Sequence, residues 1–403
     1  MTAAASAPAP RRRGRSLRAR TAFFWLHLTA GCSAGAVLLM LAVTGALLTY
    51  ERQIMAGLER SSWVDHGAEA ARLPLRSLLD QVRAEHFEPK ELAIRADPRA
   101  PITFAAGRRE RVSLDAVTGS VVPAPAPEVD AFFTFVMRIH RWFALEGDAR
   151  DAGRDVTGLA NLAFLFLLAS GLFIWLPRIW SAGVLRSQML FARRPPTAKA
   201  RDYNFHHVIG FWCLVPLIAI AASATVFHYE WAKDALRALS GAGAVGEASE
   251  AKVVEGETLP VADARHIDAL VADARAAAGA FERLTFTLPH AGAEVLEVIV
   301  DRGNGAQVQR QSVLRLDRRT GAVLGEAPRF ADDPYRWARF FNRFLHTGEV
   351  YGVAGQTIAG LASLGAAVLA WTGLALAWRR LVLTPIRRRA RRRSALANEQ
   401  APA

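Results

Sequence analysis

Four stretches of this 403-residue chain contain no Asp, Glu, Lys or Arg: 21–50, 156–177, 203–229 and 350–378. Each exceeds the roughly 20 apolar residues that cross about 30 Å of hydrocarbon. The chain is therefore expected to fold as a membrane protein with helical spans at 22–50, 156–177, 204–229 and 350–378. The first span is too long for the apolar part of a signal peptide, and no A-x-A site follows it, so it reads as a retained anchor.

The net charge of +13 raises the question of nucleic acid, but its distribution points to a membrane. Arg11, Arg12, Arg13, Arg15, Arg18 and Arg20 precede the first span. Arg178, Arg186, Arg193, Arg194, Lys199 and Arg201 follow the second. Arg379, Arg380 and the runs Arg387–Arg389 and Arg391–Arg393 follow the fourth. A four-span topology puts these three segments on one side, which is the positive-inside bias, so both termini are expected to be cytoplasmic. A nucleic-acid arm is the weaker alternative, and nucleic acid is not an expected partner. Cys32 and Cys213 lie within spans and read as small packing residues, since they form neither a CxxC pair nor a zinc knuckle.

The two long connections fall on the opposite, periplasmic side. Each contains an alternating segment ending in Asp-x-x-Thr-Gly, RVSLDAVTGSVV at 111–122 and VLRLDRRTGAVLG at 313–325. Asp115, Thr118 and Gly119 thus match Asp317, Thr320 and Gly321, and their chemistry is that of a tight hairpin turn. A helical pattern precedes each, at 75–86 and 266–278. A Gly-rich and acidic stretch, 240–257, reads as a linker. The expected fold is an integral membrane α-helical protein: a four-helix bundle with two periplasmic α+β modules, internally duplicated. Its segments are a basic tail (1–21), a span (22–50), a module (51–130), an amphipathic segment (131–155) and a second span (156–177). A basic loop (178–203), a third span (204–229), a second module (230–330), a second amphipathic segment (331–349), the fourth span (350–378) and a basic tail (379–403) follow.

The repeat is sharpest at two histidines. His27 stands four residues before Gly31 and 23 before Tyr50-Glu51, and His206 stands four before Gly210 and 23 before Tyr229-Glu230. An imidazole in a bilayer is costly and needs a partner. Two at matched depth suggest a haem iron held between two helices, because imidazole is a common axial ligand and helix bundles house core cofactors. His207 is a competing ligand, about 100° round the same helix. Zinc would need further ligands, and a proton relay would normally include an intramembrane carboxylate; neither is present in these spans.

His140 and His346 form a second candidate pair, each ending an aromatic and arginine-containing segment ahead of a span. They are expected to hold a second haem, with Arg141 and Arg343 meeting propionates or substrate through bidentate donation. The alternative is interfacial anchoring beside Trp142 and Trp337. His228 has no histidine counterpart in the first span and reads as an interfacial residue or a substitute ligand. His66, His86, His266 and His290 are expected at the surface.

The His-x-x-x-Gly starts, the pairs Thr44-Gly45, Ser170-Gly171 and Thr372-Gly373, the WLPR exit at 175–178 and the Asp-x-x-Thr-Gly modules together resemble the PepSY-associated transmembrane family over about residues 20–382. That family includes inner-membrane ferric-siderophore reductases. The resemblance implies a haem-binding membrane protein with periplasmic modules, tied to iron acquisition. The expected activity is reduction of a periplasmic ferric siderophore or chelate by electrons crossing the inner membrane through haem b, with two haems in all. No GxGxxG motif follows a strand, so the electron donor must be external: a quinol, a reduced flavin or another protein. Membrane lipid is the remaining expected partner. A membrane-anchored regulatory protein and an iron or siderophore transporter are the rival functions.

Overall fold

The computed structural model describes residues 13–67, 69–107, 110–177, 179–241, 265–288 and 293–386. The start and end of the two basic tails, Arg178, most of the 240–257 linker and His290 lie outside the described residues. In chain order the elements are α1 (Arg13–Leu48), α2 (Glu51–Ser61), α3 (Leu75–Ala84), β1 (Glu91–Arg95), β2 (Ile102–Ala105), β3 (Arg111–Leu114), α4 (Pro127–Trp142) and α5 (Ala149–Trp175). They continue with α6 (Ala182–Met189), α7 (Ala198–Trp212), α8 (Leu214–His228), α9 (Glu230–Leu239), α10 (Ile267–Ala278), β4 (Arg283–Thr287), β5 (Val295–Asp301), β6 (Gln311–Asp317), β7 (Val323–Pro328), α11 (Pro334–His346) and α12 (Gly352–Trp378). Contacts divide the chain into a helical unit (Met1–Thr49, Phe135–Tyr229, Thr357–Ala403) and a sheet unit (Tyr50–Thr134, Glu230–Gln356).

Three helical stretches, Arg18–Ser61, Ala149–Trp175 and Glu349–Ile386, are long and apolar enough to cross a membrane. The pair α7 and α8 meets the same test together but is bent by 68°. The expected unbroken helix over 204–229 is thereby corrected. Pro216 has no N–H to donate, and its ring crowds the carbonyl four residues back, at Trp212, so the helix breaks at Cys213. Helical bonding resumes with Leu217 N–H donating to the Cys213 carbonyl at 2.9 Å. The second long helix also begins earlier than the expected 156, at Ala149, because no proline interrupts 149–155.

Small side chains set the packing of the helical unit. Ala42 of α1, Leu168 of α5, Leu217 and Ala221 of α8, and Ala362 and Ala366 of α12 share one buried cluster. Such residues let helix backbones approach closely without a hydrophobic driving force from water. A Cβ on Gly365 would lie 2.6 Å from the Cys213 sulfur, so Gly365 is the space that Cys213 fills. At one end of the unit the Asp202 carboxylate, 4% exposed, accepts from Arg379 at 2.5 Å and from Arg201 at 3.0 Å, tying α7 to the residue after α12. The Arg20 guanidinium donates to the Ile174 carbonyl at 2.6 Å, occupying a carbonyl in the last turn of α5 that the helix leaves open.

The sheet unit contains one antiparallel sheet in the order β3-β2-β1-β4-β5-β6-β7. Two separate modules were expected; the structure replaces them with a single domain. A helix followed by three antiparallel strands occurs twice along the chain, but the first strands of the two sets pair, Leu92 opposite Phe286 and Ile94 opposite Leu284. Without this pairing β1 and β4 would each present an open edge, and joining them covers both. One core results, with Leu78 of α3, Leu92, Phe104, Leu270 of α10, Phe286, Val298 and Leu316 each at most 3% exposed. The Asp268 carboxylate of α10 accepts from the backbone N–H of Leu75 at 2.5 Å and of Arg76 at 3.2 Å, capping α3 across the two sets.

The two Asp-x-x-Thr-Gly segments form matching turns. The Asp115 carboxylate accepts from the N–H of Val117 and Thr118, each at 2.9 Å, and Asp317 does the same with Arg319 at 2.8 Å and Thr320 at 2.7 Å. Gly119 (φ +71°) and Gly321 (φ +76°) supply the left-handed residue that closes each turn. The following strand is full length only in the second set, as β7; in the first it is one bridge, Leu114 to Val121.

His66 is exposed, as expected, and its ring is bonded through Nε2 to the Asp115 carboxylate at 2.8 Å. Burial alone would raise the Asp115 pKa, but the backbone N–H donors and His66 outweigh it and hold it at about 2, against an ordinary 3.8. A carboxylate with a depressed folded-state pKa stabilises above its unfolded pKa, and that stability is lost as pH falls toward the folded value. Asp115→Asn is therefore expected to cost about 1–2 kcal/mol at pH 7. The difference from the parent protein should shrink between pH 4 and pH 2. Thermal unfolding in detergent across that range checks this, and a difference constant down to pH 2 would contradict it.

Candidate cofactor site in the helical unit

Four histidines of the helical unit meet hydroxyl–glycine pairs on neighbouring helices. His27 of α1 bonds through Nδ1 to the Ser170 hydroxyl of α5 at 2.9 Å. His206 of α7 bonds through Nδ1 to the Thr372 hydroxyl of α12 at 3.0 Å. His140 of α4 bonds through Nδ1 to the Thr44 hydroxyl of α1 at 2.8 Å. The glycine after each hydroxyl lies against the ring: a Cβ there would sit 3.4 Å from Cε1 of His27 at Gly171, 3.2 Å from that of His206 at Gly373 and 3.4 Å from that of His140 at Gly45.

These contacts fix the tautomer of each ring. Ser170, Thr372 and Thr44 each donate their hydroxyl proton to the carbonyl four residues back, those of Phe166, Val368 and Met40, all at 2.7 Å. With the hydroxyl proton so placed, the oxygen accepts and Nδ1 is the donor. In that neutral tautomer the lone pair that a metal would take lies on Nε2 of His27 and of His206. The same arrangement occurs three times, and the histidine is presented the same way each time.

The His27 and His206 ring centroids lie 6.5 Å apart with planes at 87°. A metal bound to an Nε2 atom on each side, at about 2.0–2.1 Å per bond, sets two centroids about 6.2–6.4 Å apart. The observed centroid spacing is close to that value. His207 has no such arrangement. Its ring lies 4.1 Å from that of Tyr203, and its buried Nδ1 makes no hydrogen bond among the described residues.

His228, at the end of α8, meets a fourth pair that sequence reasoning missed. A Cβ on Gly158 would lie 3.0 Å from His228 Nδ1 and 3.1 Å from the Tyr229 hydroxyl. Thr157, before it, donates to the Arg141 carbonyl at 2.9 Å and so fastens α5 to the end of α4, one residue beyond His140. The signal was present: Thr157-Gly158 repeats the dipeptide of the other three sites. The guanidinium of Arg141 lies over the Trp142 ring, 5.0 Å from its centroid. His346 is the half-buried last residue of α11 in the sheet unit, and Arg343 lies over the Phe344 ring there at 5.5 Å. The structure thus brings His27 and His206 together with their hydroxyl partners, and sets His140 on Thr44 in the same unit.

The chain belongs to the PepSY_TM family, described as the PepSY-associated TM region, whose profile matches residues 24–380. It is a membrane protein with several apolar spans and a sheet-containing region. No curated protein matches it.

Proposed function

We propose that this protein is a haem-containing reductase of the bacterial inner membrane that passes electrons to a periplasmic ferric siderophore or ferric chelate. The observation that carries the proposal is the His27–His206 pair: two imidazoles at 6.5 Å, each with Nδ1 bonded to a hydroxyl and Nε2 left for a ligand. Two imidazoles are donors that a haem iron could take and are too few for a bare zinc ion. Haem b, when bound, supplies a one-electron iron couple. His27 and His206 would hold one such group, while Gly171 and Gly373 give the rings room and Ser170 and Thr372 keep them from turning. His140, held by Thr44, is proposed as a ligand of a second haem with His346, on the strength of their matched positions ahead of two spans. Arg141 and Arg343 are proposed to contact propionates or substrate.

The arginine distribution supports cytoplasmic termini and a periplasmic sheet unit. Reduction of a ferric chelate to Fe(II) weakens its hard-oxygen coordination, and the chelator releases the metal. The electrons are proposed to come from a quinol, a reduced flavin or a partner protein.

The hydroxyls offer a test that leaves the ligands in place. Thr372→Val keeps the shape of the side chain and removes the acceptor for His206 Nδ1. Loss of an outer partner of this kind typically weakens metal-centre binding about 10–100-fold. Thr372→Val is thus expected to retain haem less firmly on titration with a competing apo-haemoprotein and to shift the midpoint potential of one haem. Unchanged retention and potential would show that Thr372 does not orient a ligand. A protein without haem after supplementation would remove the reductase proposal and leave a membrane-anchored regulator.

A further inference from the structure

The amphipathic helices of the sheet unit carry positive charge that no acid of the described chain neutralises. Arg237 of α9 and Arg339 of α11 both lie over the Tyr335 ring, at 4.5 and 5.7 Å from its centroid. Arg329 and Arg336 both lie over the Phe330 ring, at 4.7 and 5.0 Å. Each ring is thus in contact with two guanidiniums, and none of these four arginines forms an ion pair among the described residues. The Arg237 Nε is buried and makes no hydrogen bond there. Burial and the neighbouring Arg336 push the Arg329 pKa below its ordinary value, against a smaller opposing effect of Asp301 and Glu91. Cation–π contacts partly stabilise such charges, and Arg329 also donates to the Gln311 side-chain oxygen at 2.6 Å.

An apolar groove of about 430 Å³ opens beside these arginines, lined by Leu236, Leu239, Pro334 and Trp337 among others. Leu239 is 86% exposed and Trp337 37%. Glu230, the first residue of α9, comes two residues after the end of α8, and α11 ends six residues before α12 begins. A helix with arginines on one side and Trp and Leu on the other is suited to the headgroup boundary of a bilayer.

We infer that α9 and α11 form a binding surface for an anionic phospholipid, whose phosphate is taken by Arg237, Arg336 and Arg339 and whose acyl chain enters the groove along Leu236, Leu239 and Trp337. The arginines supply the charge complement, and the groove supplies the apolar partner. This inference depends on the protein being a membrane protein and is independent of the proposed haem chemistry.

The test uses the full-length protein in nanodiscs of equal phosphatidylglycerol and phosphatidylcholine, followed by mild delipidation and native mass spectrometry. Basic residues at an anionic surface contribute about fivefold each, so three are expected to favour phosphatidylglycerol on the order of 100-fold, and Arg336→Gln with Arg339→Gln to reduce that preference about 25-fold. Equal retention of the two lipids by the parent protein would overturn the proposal without recourse to a variant. An undiminished preference in the double variant would overturn it as well. Release of the lipid by ferric citrate would assign the surface to soluble anionic chelates, and that too would overturn it.

Discussion

His206→Ala is expected to lose one haem per chain, and His27→Ala the same one. Each ring is held by a hydroxyl at about hydrogen-bond distance, 2.9 Å for His27 and 3.0 Å for His206, and the two rings lie 6.5 Å apart. Removing either would take away one of the two imidazoles proposed to hold the haem, and the expected loss of affinity exceeds 100-fold, the upper end of what an outer partner contributes. His207→Ala should retain the haem, since His207 stacks on Tyr203 and has no hydroxyl partner. Haem content per chain, measured by the pyridine assay on purified variants of equal expression, distinguishes these outcomes. Full haem content in both His27→Ala and His206→Ala would remove the assignment. Loss in His207→Ala but not in His206→Ala would move the ligand by one residue.

Phe286→Ala is expected to cost about 3–5 kcal/mol, the range for emptying an aromatic site in a close-packed core. Phe286 is 0% exposed and stands opposite Leu92 where β1 and β4 join the two sets of strands. Since the seven strands share one core, the damage should spread to both sets. Hydrogen exchange on the full-length protein reports this: protection should fall in β2 and β3 as well as in β5 and β6. Loss confined to β5 and β6 would mean that the two sets fold independently despite sharing a sheet.

The spans and the first histidine pair were legible in the sequence because a bilayer penalises charge and unpartnered imidazole severely enough to leave a pattern. The dipeptides Thr44-Gly45, Ser170-Gly171 and Thr372-Gly373 were visible as marks of the family. Their use was not, because it depends on which helix faces which: His27 meets a hydroxyl 143 residues away and His206 one 166 residues away. The break at Cys213 was open to deduction from Pro216, whose missing N–H any helix through 204–229 must accommodate. The single sheet was hidden for another reason. Alternation marks each strand and its face but carries no information on its neighbour, and the pairing of Leu92 with Phe286 joins segments that are remote in sequence. His66 lies at the surface as expected, but its bond to Asp115 was not legible, because that carboxylate had already been assigned to a turn and performs both roles.

The most direct test is the visible absorption spectrum of the detergent-purified protein, expressed with added haem, before and after dithionite. The expected result is a Soret band and an α band that sharpen on reduction, as a six-coordinate b-type haem gives, with both lost or diminished when His27 or His206 is replaced. A colourless protein that is otherwise folded would contradict the account, because the paired imidazoles with their fixed tautomers would then hold no iron.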